Sequence, residues 1–234
     1  MPQFLAPATP SELLAHIIAH QAYPTTLIVC CSRAEFQIAL LRDAASVLSS
    51  AGPQGRSDDT VPGAEQQKRV KELVAAPLYQ TAVAKHIRIL FAPTVSHLRI
   101  YLSVFAPADS KIPAPPDYAT SNEQPSEPLL LLYGFLDAHR DTSEWNAQGL
   151  SCTASILVDA AHRTSFEPII IEPKGDDGHP ALDTLLTETV PLLNNTTVSE
   201  GSWSGRTVEI RRVLGRWFEF HDRPMSQNKE LDVM

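Results

Sequence analysis

The stretch Leu129-Leu130-Leu131-Leu132-Tyr133 is the strongest indication of fold in this sequence. A short, continuous apolar run of this kind is typical of a strand that is buried on both faces, as in parallel sheets. After it, Leu150, Ala154, Leu157 and Ala161 recur at helical spacing and indicate a long amphipathic helix. This part of the chain therefore predicts one buried strand followed by one helix.

The same alternation extends outward in both directions. Further strands are predicted at the apolar runs Thr25–Cys31, His86–Phe91 and Pro168–Ile171. Helices are predicted at Ser11–Ala22, from about Arg33 to Ser49, at Glu65–Ala84 with a break at Pro77, and directly after Pro93. Strands that alternate with helices imply βαβ units. The expected fold is α/β with three layers, a mainly parallel sheet with helices on both faces.

The pattern changes near the C-terminal end. Val208 and Ile210 lie before Gly215, and Phe220 lies after it, with apolar and polar side chains alternating from Thr207 onward. Period-two alternation around a glycine is typical of paired antiparallel strands. We therefore predict a C-terminal antiparallel hairpin.

Domain organisation follows from composition. Residues 1–222 are expected to form one domain, and two segments rich in Gly, Pro and polar residues, about 50–64 and 106–128, are expected to be mobile loops. Residues 223–234 are expected to be a disordered tail.

Composition limits the function classes. The chain has 234 residues, 43% of them hydrophobic, and a net charge of −8, so it can form a core but has no overall field that attracts nucleic acid or anionic membranes. Any phosphate binding then requires a local basic patch. Three cysteines do not make a disulfide framework, and no signal peptide or long apolar span is apparent, which favours an intracellular protein without a membrane partner.

Nucleotide-binding motifs are missing from the sequence. The turn Cys31–Glu35 after the first predicted strand has no glycine, and neither G-x-x-x-x-G-K-[ST] nor G-x-G-x-x-G occurs anywhere in the chain. Tyr133 stands at the end of the Leu129–Tyr133 strand, where a nucleotide hydrolase needs an acidic residue. No cofactor is therefore expected.

Three weaker candidate sites have simpler structural interpretations. His16 and His20 have the spacing of a zinc pair, but the glutamate of H-E-x-x-H and a third ligand are missing. Residues 149–152 lack the second glycine of a nucleophile elbow, so Ser151 and Cys152 are expected to be ordinary helix residues. The polar cluster 137–141 follows the carboxyl end of a strand, where α/β folds place their sites, although a solvated loop explains it equally well.

The remaining feature combines arginines with aromatic residues near the C-terminal end. Arginine binds phosphates and large aromatics dominate protein interfaces, so these residues are the candidates for DNA contact and for partner contact. The candidate DNA-binding residues are Arg206, Arg211, Arg212 and Arg216, and the candidate partner anchors are Trp203, Trp217 and Phe218. A solvated face and a core position for Trp217 are the competing interpretations.

The order of the predicted elements, together with the segments His86–Phe105, Leu129–His139 and Gly205–Phe220, resembles the RecA-fold recombinase paralogues, and among them the small diverged subunits of Shu-type recombination-mediator complexes. The resemblance implies a RecA-like core. It departs from ATP-hydrolysing members, because no Walker A loop precedes the first predicted helix and Tyr133 replaces the Walker B acid.

The resemblance therefore implies a nuclear, non-enzymatic subunit. Such a subunit pairs with another RecA-like subunit, associates with a SWIM-type zinc protein, and assists recombinase loading on DNA in homologous recombination repair. Two alternatives stay open: a scaffold subunit of an Elongator-like RecA-fold ring, and a small-molecule hydrolase that works through Asp137 and His139.

Overall fold

A computed structural model describes residues 2–20, 23–50, 84–109, 112, 128–174, 181–193 and 206–222. The predicted helix 65–84 lies outside these residues except for Ala84, and so do the tail 223–234 and nearly all of the loops 50–64 and 106–128. Of the second loop, Pro107–Asp109 is described and forms one turn of 3-10 helix.

Six strands form one sheet, and all of its strand pairs are parallel. In chain order they are β1 Gln3–Ala8, β2 Thr25–Val29, β3 Ile87–Phe91, β4 Leu129–Tyr133, β5 Glu167–Pro173 and β8 Glu219–His221. Across the sheet the order is β3-β2-β4-β5-β1-β8. A separate two-stranded antiparallel sheet joins β6 Thr189–Pro191 to β7 Thr207–Glu209.

Helices cover both faces of the sheet. The described helices are α1 Pro10–His20, α2 Arg33–Ser50, α3 Val95–Ser103, α4 Phe135–His139, α5 Ala147–Thr164, α6 Leu182–Thr187 and α7 Ile210–Leu214. None of the helices in the described part of the chain has the length and apolar character needed to cross a bilayer.

Alternation along β4 shows why the core has two halves. Leu130 and Leu132 pack into the cluster beneath α3 and α5, whereas Leu129, Leu131 and Tyr133 pack into the cluster beneath α1 and α2. Successive side chains of a strand point to opposite faces, so an uninterrupted apolar run is what a central strand between two helical layers requires. The predicted three-layer α/β fold with a mainly parallel sheet is confirmed.

The first strand was not expected from the sequence. Gln3–Ala8 pairs with β5 and β8, and its register shifts between Leu5 and Ala8, where Pro7 lies. Proline has no amide hydrogen to donate, and such an irregularity lets a strand accommodate it. A full strand therefore precedes the first helix, where none was predicted.

The antiparallel pair predicted near the C-terminal end is present, but it consists of β6 and β7. Ile210, Val213 and Leu214 are buried on one side of α7, the spacing of a helix rather than a strand. Glu219–His221 then returns to pair in parallel with β1. The segment predicted as two strands of one hairpin is thus a short strand, a helix and a strand of the main sheet.

Candidate functional site

The carboxyl edge of the parallel sheet is where α/β folds bind their ligands. At the end of β1, only Thr9 separates the strand from α1. Thr9 N donates to Glu12 Oε2 at 2.9 Å, and Glu12 N donates to Thr9 Oγ1 at 3.3 Å, which is a capping box. This turn has no room for a phosphate-binding loop.

A second carboxylate completes the closure of the α1 N-terminus. Ser11 N donates to Asp43 Oδ2 of α2 at 2.9 Å. Although burial raises the pKa of Asp43, hydrogen bonds from Ser11 and Thr9 hold it below its usual value, which favours the anionic form. Negative side chains thus occupy the position where a helix N-terminus binds an anion.

Tyr133, at the carboxyl end of β4, ties two strands together. Its side chain is buried, and its hydroxyl donates to the Ala8 carbonyl of β1 at 3.0 Å. Burial, followed by the charge of Glu172, raises the pKa of Tyr133 far above its usual value, so the hydroxyl stays protonated. The residue acts as a structural bridge at the edge where a hydrolase would hold its metal.

Glu172 lies at the same edge. Its carboxylate is fully buried and accepts a hydrogen bond from Leu136 N at 2.8 Å. Gly134, two residues before Leu136, has a φ of 84°. This left-handed conformation favours glycine and lets the chain turn from β4 into α4. Burial raises the pKa of Glu172, and the nearby charge of Asp137 adds to that rise.

The polar cluster 137–141 is divided between core and surface. His139 is fully buried: Nδ1 lies 2.7 Å from the Phe135 carbonyl oxygen, and Nε2 lies 2.8 Å from Thr153 Oγ1. Arg140 forms a bidentate pair with Glu188, at 2.8 and 3.0 Å, and stacks over Trp145. Asp137 is exposed. The structure thus gives Asp137 and His139 no shared catalytic site.

The histidine pair is similarly divided. His16 is buried in α1, and the His20 side chain lies outside the described residues. Across the described parts of the chain, no group of three His, Cys, Asp or Glu side chains is arranged to hold a metal ion.

Three of the four candidate DNA-binding arginines line one groove of about 960 Å³. Arg206, Arg212 and Arg216 form one wall with β7 and α7, and α5 forms the other. Arg211 points elsewhere, because its guanidinium pairs with Asp183 and lies over Phe220. Among the described residues that line the groove, none is acidic, so three uncompensated cations face the same space.

The opposite wall of the groove was not predicted. It consists of small and polar side chains of α5: Ala147, Gln148, Ser151, Cys152 and Ser155. Ala147 is buried next to the apolar stripe of α5, and the other four residues lie beside that stripe. Their shared helical face was visible in the sequence, but nothing there showed that the arginines would lie opposite it.

The three candidate partner anchors have different positions. Phe218 is 3% exposed and lies in the core, so its interpretation as an interface anchor is corrected. Trp217 is half-buried, and its Nε1 donates at 3.3 Å to Oγ of Ser151, which lines the groove. Trp203 lies outside the described residues.

No protein-family model matches this chain, and no curated protein matches it significantly. Function is therefore inferred from the residues themselves.

Proposed function

We propose that this chain is a non-enzymatic subunit of a Shu-type recombination-mediator complex in the nucleus. It pairs with another RecA-like subunit, associates with a SWIM-type zinc protein, and contacts DNA through the basic groove. The observation that carries the proposal is the groove itself, where Arg206, Arg212 and Arg216 face a common space with no acidic side chain among its described lining residues.

Charge distribution supports a DNA ligand for this groove. The whole chain carries a net charge of −8, which repels a polyanion from most of the surface. Three arginines in one groove provide local attraction and the bidentate donors that suit phosphate oxygens. Phosphate contacts position a nucleic acid without reading its sequence, as a loading factor that acts on many DNA sites requires.

The closed carboxyl edge supports a non-enzymatic role. Glu12 and Asp43 bind the amides at the start of α1, and Tyr133 joins β4 to β1 at the position of the Walker B acid. These contacts leave a nucleotide's phosphates no free backbone donors at the place where such folds bind them.

The groove predicts which arginines matter for DNA. In the complex purified through this chain, Arg206→Ala, Arg212→Ala and Arg216→Ala should each weaken binding to single-stranded and duplex oligonucleotides. Each lost contact should reduce the slope of log affinity against log salt by about one, because fewer counterions are released. Fluorescence anisotropy over a salt series measures both quantities.

Arg211→Ala is the matched control, since it removes the same charge one residue away but outside the groove. It should leave the salt slope unchanged. Equal losses for Arg211→Ala and Arg212→Ala would assign the effect to net charge and contradict a specific groove.

The closed edge predicts that nucleotide does not stabilise the chain. A ligand that binds only the folded state raises its stability, so a functional site would raise the melting temperature in saturating Mg–ATP. We expect no rise in differential scanning fluorimetry beyond that given by MgCl₂ with sulfate, and no ATP turnover. Stabilisation specific to ATP, or an ATPase activity that co-elutes with the chain, would contradict the proposal.

Partner identity tests the assignment to recombination directly. Mass spectrometry of the complex that co-purifies with the tagged chain from its own cells should identify RecA-like recombinase paralogues and a SWIM-type zinc protein. Recovery of Elongator subunits in their place would overturn the assignment to recombination.

A further inference from the structure

β3 is an edge strand. It pairs with β2 on one side, and the described part of the chain provides no strand on the other. All of its residues are at least partly exposed, although four of the five are apolar: Ile87, Ile89, Leu90 and Phe91. An unpaired edge presents backbone N–H and C=O groups that another strand can bind.

The exposed apolar side chains concentrate around this edge. Six large hydrophobic side chains are exposed in the described part of the chain, and five of them lie in α2, in β3, in α3 or directly after α3. These five are Ile38, Leu41, Ile89, Ile100 and Val104. Soluble proteins rarely expose such a concentration unless the surface binds something.

Leu41 lies on the solvent side of α2, about 140° around the helix from Phe36, which contacts β3. Phe36 contacts Phe91 beneath the helix, and Asp43 faces α1 through its bond to Ser11. At 100° per residue, Leu41 lies on the side of α2 away from Asp43 and therefore away from α1. It is 70% exposed.

Val104, directly after α3, lies near β3 on the other face of the sheet. Arg99 binds Glu144 and Thr153, so that side of α3 faces α5. Tyr101 is on the opposite side, against Arg88 of β3, and Val104 at the helix end follows on that side. Val104 is 67% exposed. Apolar side chains thus border the strand edge on both faces.

Arg88 indicates that whatever binds this edge should carry a negative charge. Its guanidinium lies 5.7 Å from the centroid of the Tyr101 ring, and its Nη1 is buried without a hydrogen-bond partner. A buried cationic donor without an acceptor is costly, and a carboxylate is the acceptor that best satisfies a guanidinium. Lys85, just before the strand, is exposed and adds a second positive charge to this edge.

We propose that the β3 edge is a docking site for an extended segment of a partner protein, which adds to the sheet as a further strand. Apolar side chains of that segment contact Ile89 on one face and Val104 on the other, and a carboxylate beside them binds Arg88. Backbone hydrogen bonds to β3 provide the register. The inference goes beyond the proposed function, because it fixes how a partner binds whatever process the complex serves.

A second copy of this chain fits the edge poorly. It would bring its own Lys85 and Arg88 to an edge that already carries those two cations, and would supply no carboxylate from its β3. An acidic, extended segment of a different protein satisfies both the charge and the apolar surface.

The test uses the tagged full chain in its own cells. A photoreactive benzoylphenylalanine replaces Ile89, and in a control chain it replaces Asp159, which is exposed on α5. After irradiation, mass spectrometry locates the cross-linked peptides. The Ile89 position should cross-link to a segment of another protein with apolar residues and an adjacent Asp or Glu, and the Asp159 position should not.

Charge reversal then tests the register. Arg88→Glu should reduce the cross-linked fraction by about tenfold or more, and changing the adjacent acidic residue of the partner to Lys should restore it. Val104→Asp, at a position that is 67% exposed, should reduce it as well. Melting of both variants confirms that they fold.

Four outcomes would overturn the proposal. They are a cross-link from position 89 to residues 51–83 of the same chain, a cross-link to a second copy, no cross-link at all, and cross-linking that folded Arg88→Glu and Val104→Asp chains leave undiminished.

Discussion

Replacing Phe218 with alanine should lower the free energy of unfolding by about 3–5 kcal/mol. The ring is 3% exposed and belongs to the same buried cluster as Leu214 and Ile210 of α7. Truncation removes the transfer free energy of the ring and leaves a cavity, because a close-packed core relaxes only in part. Urea denaturation followed by tryptophan fluorescence measures the difference.

Trp217→Ala is the informative neighbour. Because Trp217 is half-buried, this substitution should lower the free energy of unfolding by less than Phe218→Ala does. If the Phe218→Ala chain instead kept its denaturation midpoint but lost its partner, Phe218 would be an interface anchor after all, and its placement in the core would be wrong.

Lowering the pH from about 6.5 to about 4 should remove about 3 kcal/mol of stability through His139 alone. Burial lowers the pKa of His139 to about 4, and the nearby charge of Arg99 also favours the neutral ring. Between these pH values the unfolded chain binds a proton at this position and the folded chain does not. The stabilisation that His139 gives the folded chain is therefore fully present above pH 6.5, and it is lost as the pH falls from 6.5 to about 4.

Hydrogen bonding explains why the folded chain resists the proton. The Phe135 carbonyl can only accept, so Nδ1 carries the hydrogen and Nε2 is the acceptor that faces Thr153 Oγ1. Protonated Nε2 would compete with Arg99 Nε, which already donates to that hydroxyl oxygen at 2.9 Å. The site thus offers no good acceptor to a second imidazole hydrogen.

Glu172 acts in the opposite direction, so a variant must isolate the histidine. Burial raises the pKa of Glu172, and its contribution to stability therefore falls as the pH rises above the usual value for a glutamate. His139→Gln keeps a neutral side chain at every pH and should show a shallower loss of stability below pH 6.5 than the parent chain. Identical pH slopes for the two chains would show that His139 does not carry the effect.

The central strands could be predicted because their apolar runs have only one stable environment. Leu129–Tyr133 has the predicted bounds, and Thr25–Val29 begins at the predicted residue, since residues buried on both faces of a sheet leave an unmistakable pattern. The N-terminal strand Gln3–Ala8 could not be predicted in this way. Pro7 argues against a strand locally, and only the pairing with distant Ile169–Ile171 makes it one.

The groove shows a second limit of sequence reasoning. Arg206, Arg211, Arg212 and Arg216 are alike in the sequence, and their grouping predicted a basic feature. Helical geometry in α7 then turns Arg212 toward α5 and Arg211 toward Asp183. Over a segment as short as 208–214, the apolar residues fit the spacing of a strand and that of a helix. The sequence alone therefore could not show that Arg211 and Arg212 face different sides.

The position of β1 between β5 and β8 has a consequence for synthesis on the ribosome. Gln3 pairs with Ile169 and with Glu219, so β1 has no sheet neighbour until more than 160 further residues have been translated. Phe4 and Leu5, both buried in the finished fold, lack these pairing partners throughout that interval. Strands that wait for distant partners fold slowly and aggregate readily, so the nascent chain depends on chaperones or on the rate of elongation in a way that its folded form does not.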